Sequence, residues 1–90
     1  MPQVVLTYDL HGAASAVYQR LNDNLRAKQY KKALENTTWE ATWNPQVSVD
    51  SALSGTKSEF DACAVAAGAR SYDLKVWASA DPLKTTIAKR

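Results

Sequence analysis

The sequence predicts an α+β fold in which two helices pack on one face of a four-stranded antiparallel sheet. The chain has 90 residues, which is enough for one domain with one hydrophobic core. The spacing of its apolar residues changes between strand and helix periods in the order strand, helix, strand, strand, helix, strand. That order is the split βαβ, or ferredoxin-like, arrangement, and right-handed crossovers place both helices on the same side of the sheet.

The chain begins with a strand and continues with a helix. Residues 4–10 form a run of β-favouring apolar residues that ends at His11-Gly12, which predicts a central strand. From Ala13 to Leu25 the apolar residues recur at helical spacing, with polar residues on the opposite side. This stretch is therefore predicted to be an amphipathic helix that covers the first strand.

The middle of the chain is predicted to finish this helix and add two strands. The apolar stripe is shifted at Tyr30, so we expect the helix to bend or restart near Lys28 before it ends. Strict alternation over residues 39–43 predicts the second strand. Asn44-Pro45 signals a turn, and the alternation around residues 47–49 predicts a short third strand that returns along the second.

A second helix and a last strand complete the pattern. Thr56 and Glu59 have the spacing of a capping box, which predicts a helix start at this point. Gly68 is a natural C-terminal cap for that helix. Its apolar face is predicted to consist of Phe60, Cys63, Ala64 and Ala67. Alternation over residues 72–78 then predicts the final strand.

Two aspartates are expected to meet on the face of the sheet that carries no helix. Asp9 ends the first strand and Asp73 begins the last strand, each within a similar short word, Thr7-Tyr8-Asp9-Leu10 and Ser71-Tyr72-Asp73-Leu74. Antiparallel pairing of these two strands brings the carboxylates together. Like charges in that position require a bound cation, a shared proton, the nearby Lys75 or an offset register.

A divalent cation is one outcome of this pairing. Mg²⁺ and Mn²⁺ prefer oxygen ligands, so Asp9 and Asp73 are candidate metal ligands at a site that would activate water for phosphodiester cleavage. His11 follows Asp9 closely and is a candidate ligand or general acid. The alternative is that both aspartates are solvated strand ends and that His11 is an ordinary residue at the entry to the helix.

Basic residues are concentrated in and after the first helix. Arg20, Arg26, Lys28, Lys31 and Lys32 stand close together, with Asp23 as the acidic residue among them. Such a cluster either attracts a nucleic-acid backbone through counterion release or is the solvated face of a helix. We expect residues 1–81 to form the single domain and residues 82–90 to form a basic C-terminal tail.

The three tryptophans and the helix-free sheet face indicate an interface. Trp39 and Trp43 share one strand face and either fill the core beneath the helices or lie on the open side. Trp77 is predicted to project from the last strand onto the open side. Because an apolar sheet face is costly to expose, we expect a homodimer that pairs through this face. The predicted dimer interface consists of Val5, Thr7, Lys75 and Trp77.

Composition and known motifs exclude several classes of protein. No apolar stretch is long enough to span a membrane, and the first residues lack the pattern of a secretory signal. Cys63 is the single cysteine, so no internal disulfide can form, and ligands for zinc are too few. No phosphate loop, dinucleotide fingerprint or nucleophile elbow is present. These observations together favour the cytoplasm.

The segment Tyr8-Asp9-Leu10 at the end of the first strand, in a split βαβ chain of this length, resembles the Cas2 family of CRISPR-associated proteins and the VapD-like toxin ribonucleases. The resemblance implies a ferredoxin-like homodimer with facing sheets. It also implies that Asp9 lies at the dimer cleft and takes part in metal-dependent nuclease activity.

Three functions are therefore open at the level of sequence. The first is a metal-dependent endoribonuclease, or a related nuclease, that acts on RNA or DNA as a homodimer. The second is a non-enzymatic protein-binding module, such as an inhibitor or an antitoxin-like partner, that uses the open sheet face or its edge. The third is a dimer that binds nucleic acid without catalysis.

Overall fold

The computed structural model describes residues 1–33 and 37–80. It confirms the predicted α+β fold, with the βαββαβ element order and the four-stranded antiparallel sheet of the ferredoxin-like arrangement. The elements are β1 (Gln3–Leu10), α1 (Ser15–Ala27), β2 (Lys31–Lys32), β3 (Thr38–Thr42), α2 (Val49–Ala67) and β4 (Tyr72–Ser79). The predicted basic tail at residues 82–90 lies outside the described residues.

The sheet has the strand order β2-β3-β1-β4, and every neighbouring pair is antiparallel. Strand β1 is central and alternates strictly, with Val4, Leu6, Tyr8 and Leu10 buried towards the helices. Strand β4 pairs with β1 along its whole length, from Gln3 opposite Ser79 to Leu10 opposite Tyr72. The first and last strands, β1 and β4, are therefore neighbours in the sheet, as the sequence predicts.

The core lies between the sheet and the two helices, which pack against each other. Phe60 of α2 is fully buried, with its ring centroid 5.1 Å from that of Tyr8 and 4.9 Å from that of Tyr72. The predicted apolar face of α2 is confirmed, because Cys63, Ala64 and Ala67 are buried with it. Burial raises the pKa of the Cys63 thiol, as expected for a core cysteine.

Trp39, within β3, and Trp43, directly after β3, both lie on the helix side of the sheet. Trp39 is fully buried in the core. Trp43 is partly buried against it, and its Nε1 donates a hydrogen bond of 3.2 Å to the Thr56 hydroxyl. The indole lies so close to Gly55 that a Cβ added there would stand 2.6 Å from the ring. Of the two alternatives for Trp39 and Trp43, core filling is therefore correct.

The predicted bend or restart of the first helix near Lys28 is wrong. Helix α1 ends at Ala27, and Lys28 is its C-cap. Gln29 then adopts a left-handed conformation with φ of 69°. The Gln29 N–H donates to the Arg26 carbonyl at 2.9 Å and the Tyr30 N–H to the Leu25 carbonyl at 3.0 Å. These two bonds form a Schellman motif, which stops the helix and lets the chain continue into β2.

The predicted strand at residues 47–49 is also wrong, because this segment starts α2. The predicted second strand is β3, and its partner on the outer side is the short β2. Helix α2 begins at Val49, and the Ser48 side chain accepts a hydrogen bond from the Ser51 N–H. The capping box predicted at Thr56 is thus wrong, since Thr56 is buried inside the helix. The N-cap is Ser48, about two turns upstream of Thr56.

The C-terminal end of α2 agrees with the prediction. Gly68 is the C-cap with φ of 92°, a left-handed conformation that favours glycine. The Ala69 N–H donates to the Ala64 carbonyl at 3.0 Å, which closes the last turn. In the part of the chain that the structure describes, no helix is long and apolar enough to cross a membrane.

Candidate functional site at the β1–β4 strand ends

Asp9 and Asp73 are direct partners in the register between β1 and β4, as the sequence predicts. Their neighbours Tyr8 and Leu10 are buried on the helix side, so both aspartates project from the helix-free face. Both are exposed to solvent. The two carboxylates therefore share one end of the open sheet face, where like charges are unfavourable unless donors or a cation offset them.

His11 provides the donor to Asp73. Its Nε2 lies 2.9 Å from the Asp73 Oδ2, and its Nδ1 lies 3.0 Å from the Ser71 Oγ. The backbone places the ring there, because the His11 N–H donates to the Ser71 carbonyl at 3.2 Å and so continues the β1–β4 ladder. A neutral imidazole with its proton on Nε2 donates to Asp73 and accepts from the Ser71 hydroxyl.

Tyr18 of α1 provides the donor to Asp9. Its hydroxyl lies 3.3 Å from the Asp9 Oδ1 and 3.2 Å from the Leu10 carbonyl, and it accepts from the Leu10 N–H at 3.2 Å. A phenol has one proton, so the two acceptors share it. The sequence identifies Tyr18 as a residue of the helical apolar stripe, but no local signal shows that its hydroxyl reaches the end of β1.

Lys75 does not serve as the neighbouring cation for Asp73. Its Nζ lies 4.9 Å from the centroid of the Trp77 ring, an arrangement typical of a cation–π contact. The like charges of the two carboxylates are instead offset by two hydrogen-bond donors, Tyr18 and His11. The exposed carboxylate oxygens that these bonds leave open determine what the site can bind.

The donor set at this site is small for a metal ion. The described residues contain no group of three or more histidine, cysteine, aspartate or glutamate side chains that could hold a metal together. Asp9 and Asp73 line a shallow pocket of about 220 Å³ whose other walls include Thr7 and Lys75. A divalent cation there would take two carboxylates from the protein and its other ligands from water or phosphate oxygens, which Mg²⁺ tolerates.

The predicted basic cluster is divided by the fold. Arg20 Nε donates to the Ala67 carbonyl at 3.1 Å and so caps the end of α2. The Arg26 guanidinium lies 5.3 Å from the centroid of the Trp39 ring and bonds Asp23 at 3.1 Å. Lys28 lies at the C-cap of α1, and Lys31 and Lys32 form β2 at the sheet edge farthest from β4. A binding role for these residues stays a prediction.

The four residues of the predicted dimer interface form two cross-strand pairs on the helix-free face. Val5 is opposite Trp77, and Thr7 is opposite Lys75. Trp77 is 43% exposed, which makes it one of the large exposed apolar side chains of the described residues. Polar side chains surround this small apolar patch, among them Gln3, Thr38, Glu40, Thr42 and Ser79. Whether a second subunit covers the patch stays a prediction.

Comparison with protein-family models finds no match for this chain, and comparison with curated proteins finds no similar sequence. The element order and sheet topology define its class as a ferredoxin-like α+β domain.

Proposed function

We propose that this protein is a homodimeric, nucleic-acid-associated protein of the Cas2-like or VapD-like kind, with divalent-metal-dependent nuclease activity centred on Asp9. The observation that supports this proposal is the direct cross-strand pairing of Asp9 with Asp73 on an open, solvent-reachable face. Oxygen ligands of this kind suit Mg²⁺ or Mn²⁺. A bound ion of this type would supply Lewis-acid polarisation of a phosphoryl oxygen and a more acidic water.

The chain's own residues divide the remaining tasks in this proposal. Asp9 and Asp73 would hold the cation, and Tyr18 would orient the Asp9 carboxylate through its hydroxyl. In its imidazolium form His11 would carry a proton at Nε2, beside Asp73, and could deliver it to a leaving oxygen, which leaves a neutral imidazole. Lys28, Lys31 and Lys32 steer the phosphate backbone towards the sheet, which would raise the rate of encounter at low salt.

Thermal melts with and without Mn²⁺ test the cation site. A ligand that binds only the folded state raises the melting temperature by mass action. We expect Mn²⁺ to raise the melting temperature of the wild type, and we expect Asp9→Asn to abolish the rise. Asp23→Asn is the matched control, because Asp23 is an exposed aspartate on α1 whose partner is Arg26. The control should keep the full metal response.

An RNA-cleavage assay tests the activity itself. Mn²⁺-dependent cleavage of single-stranded RNA should be present in the wild type and in Asp23→Asn, and absent in Asp9→Asn. The opposite pattern of melts would end the nuclease proposal: no effect of Mn²⁺ on the wild type, together with a metal-free Asp9→Asn that melts higher because a like-charge contact has been removed.

A protein-binding module is the second candidate, and one observation favours it. Asp73 and Asp9 already have protein donors, His11 at 2.9 Å and Tyr18 at 3.3 Å, so neither needs a cation to be accommodated. In this case the paired strand ends are structural, and the open face or the edge of the sheet binds another protein. Metal-independent melts combined with an intact fold would favour this second function.

A further inference from the structure

The two edges of the sheet differ in how well they are protected from pairing with another strand. Edge strands expose unpaired backbone groups, and natural proteins shorten them, charge them, kink them or cover them. Strand β2 has only two residues, and both are lysines. Strand β4 has eight residues, Tyr72–Ser79, and no proline or bulge interrupts its register with β1. Among the described residues, no strand pairs with its outer side.

The backbone groups that β4 presents outward follow from the register. The His11 N–H bonds the Ser71 carbonyl, so every second pair from there along the ladder exchanges hydrogen bonds. Asp73, Lys75 and Trp77 therefore bond β1 with their N–H and C=O groups. The backbone groups of the alternate residues point away from β1, at Tyr72, Leu74, Val76 and Ala78. A second strand could bond all of them without disturbing the sheet.

The side chains on the helix side of β4 form an apolar groove beside these backbone groups. Leu74 and Val76 are only half-buried, although their counterparts on β1 are fully or almost fully buried. Together with Leu53 and Lys57 of α2 they line a groove of about 440 Å³ along the edge. An added strand with apolar residues at the same alternate positions would cover this groove.

We infer that the occupant of this edge is β4 of a second copy of the chain, paired antiparallel with Leu74 of each copy on the two-fold axis. Charge favours this register over the registers centred on the two neighbouring residues. Centring on Lys75 would put two lysines opposite each other, and centring on Asp73 would oppose two aspartates. Centring on Leu74 places Asp73 of each copy opposite Lys75 of the other, and Tyr72 opposite Val76.

This arrangement satisfies the outward backbone groups and the apolar groove together. Leu74 opposite itself is a hydrogen-bonded pair, because its N–H and C=O point outward in both copies. Its side chain lies on the helix side, so the two grooves join into one continuous apolar surface. The two opposite-charge pairs lie on the helix-free face at either side of the axis. The result is an eight-stranded sheet with a β2 edge at each end.

The inference rests on the homodimer of the proposed function and names the surface that forms it. It concerns the edge of β4 and not the helix-free face, where the sequence predicts pairing through Trp77. The cation site is a separate question, since metal-dependent melts report on Asp9 in a monomer or a dimer. If edge pairing fails, the cation proposal is therefore unaffected. If the cation proposal fails, edge pairing is likewise unaffected.

Disulfide trapping in a Cys63→Ala background tests the axis position. Residues facing each other in a hydrogen-bonded antiparallel pair have Cα atoms about 5.5 Å apart, within the range that a disulfide spans. Leu74→Cys should form a cross-linked dimer under mild oxidation. Trp77→Cys lies on the helix-free face, two positions beyond Lys75, and does not face its own copy in this register. It should therefore remain monomeric on a denaturing gel. Cross-linking of Trp77→Cys without Leu74→Cys would show face pairing and overturn the inference.

Charge reversal tests the register independently of any new cysteine. Asp73→Lys and Lys75→Asp each turn two attractive cross-strand pairs into repulsive ones, so each should weaken the dimer about tenfold in sedimentation equilibrium. The double variant exchanges the two charges and should restore the wild-type dissociation constant. Thermal melts of each variant as isolated monomers confirm that the fold is kept. A wild type that is monomeric at all accessible concentrations, or a double variant no tighter than either single one, would overturn the inference.

Discussion

At the scale of single residues, aromatic side chains determine how the helices meet the sheet. The Phe60 ring of α2 stands between Tyr8 of β1 and Tyr72 of β4, with centroid distances of 5.1 and 4.9 Å. The helix positions around it carry small side chains, Cys63, Ala64 and Ala67. Small neighbours bring the helix backbone close to the sheet, and they leave few atoms that could move into a hole at position 60.

Phe60→Ala should therefore destabilise the fold by about 3–5 kcal/mol, the loss typical of a large buried side chain whose site cannot collapse. Urea unfolding followed by circular dichroism measures the change. Val65→Ala is the control on the same helix, because Val65 is 65% exposed and its truncation should cost less than about 0.5 kcal/mol. A loss below about 1 kcal/mol for Phe60→Ala would contradict the packing described here.

Two buried tyrosines offer a matched comparison of satisfied and unsatisfied hydroxyls. Tyr8 donates to the Asn22 Oδ1 at 2.5 Å, and both residues are buried. Among residues 1–33 and 37–80, the Tyr30 hydroxyl has no partner of acceptable hydrogen-bond geometry, although Thr56 is near enough to lower its pKa against the larger effect of burial. The two side chains are almost equally buried, at 4% and 3% exposure.

Tyr8→Phe should cost about 1–3 kcal/mol, because it leaves the Asn22 oxygen buried without its donor. Tyr30→Phe should be neutral or stabilising, since it removes a buried polar atom that makes no good hydrogen bond. Urea unfolding of the two variants side by side measures the difference. Equal losses in both variants would mean that the Tyr30 hydroxyl is bonded as well as that of Tyr8.

At the scale of elements, the ends of the helices decide where the second half of the fold begins. The chain leaves β3 at Thr42, and the Asn44 Oδ1 accepts from the Gln46 N–H at 2.9 Å in a tight turn. Ser48 then caps α2 through a bond of 3.1 Å from the Ser51 N–H. This cap adds two turns of helix before Thr56 and brings Ala52 into the core.

Ser48→Ala should destabilise the protein by about 1 kcal/mol, because it removes the side-chain acceptor of an otherwise unpaired helix N–H. Differential scanning calorimetry or urea unfolding measures the change. Ser58→Ala is the control, because Ser58 is an exposed residue in the middle of α2, where alanine is at least as favourable as serine. If Ser58→Ala proved more harmful than Ser48→Ala, the helix would start later than Val49.

The helix ends also show what the sequence could and could not predict. Gly68 was predictable as a cap because only glycine takes φ of 92° at little cost. The end of α1 was not, since Gln29 takes the left-handed position without a local signal. The β1–β4 pairing of Asp9 and Asp73 followed from alternation and topology alone. The role of Tyr18 was not predictable from the sequence, because it depends on how α1 packs against the end of β1 in the tertiary structure.

At the scale of the whole molecule, the sheet is protected unequally on its two faces and its two edges. One face is covered by α1 and α2 and contains the entire core. The other face is mostly polar, with Val5 and Trp77 as its apolar residues between charged and hydroxyl side chains. One edge ends in two lysines, and the other is long and regular. The helix-free face and the β4 edge are therefore two surfaces of the sheet that the helices leave uncovered.

The buried tyrosines also give the whole molecule a defined loss of stability at high pH. Burial raises the pKa of Tyr8 and that of Tyr30 from 10.0 to about 12. When a group's pKa is higher in the folded state than in the unfolded state, its contribution to stability is fully present at pH values below the unfolded-state pKa. That contribution is lost as the pH rises through the folded-state pKa. The stability contributed by the two neutral phenols should therefore be complete below about pH 10 and should disappear towards pH 12.

Urea midpoints between pH 8 and pH 11.5 measure this loss, which should begin near pH 10 and grow on the order of 2 kcal/mol for each tyrosine by the end of the window. Absorbance at the wavelength of tyrosinate should rise late in the folded protein and near pH 10 in urea. Lysines also lose charge in this range, so Tyr30→Phe is the control: it keeps every lysine and should show a shallower decline. An unchanged decline in Tyr30→Phe would show that ionisation of Tyr30 contributes nothing to the alkaline transition.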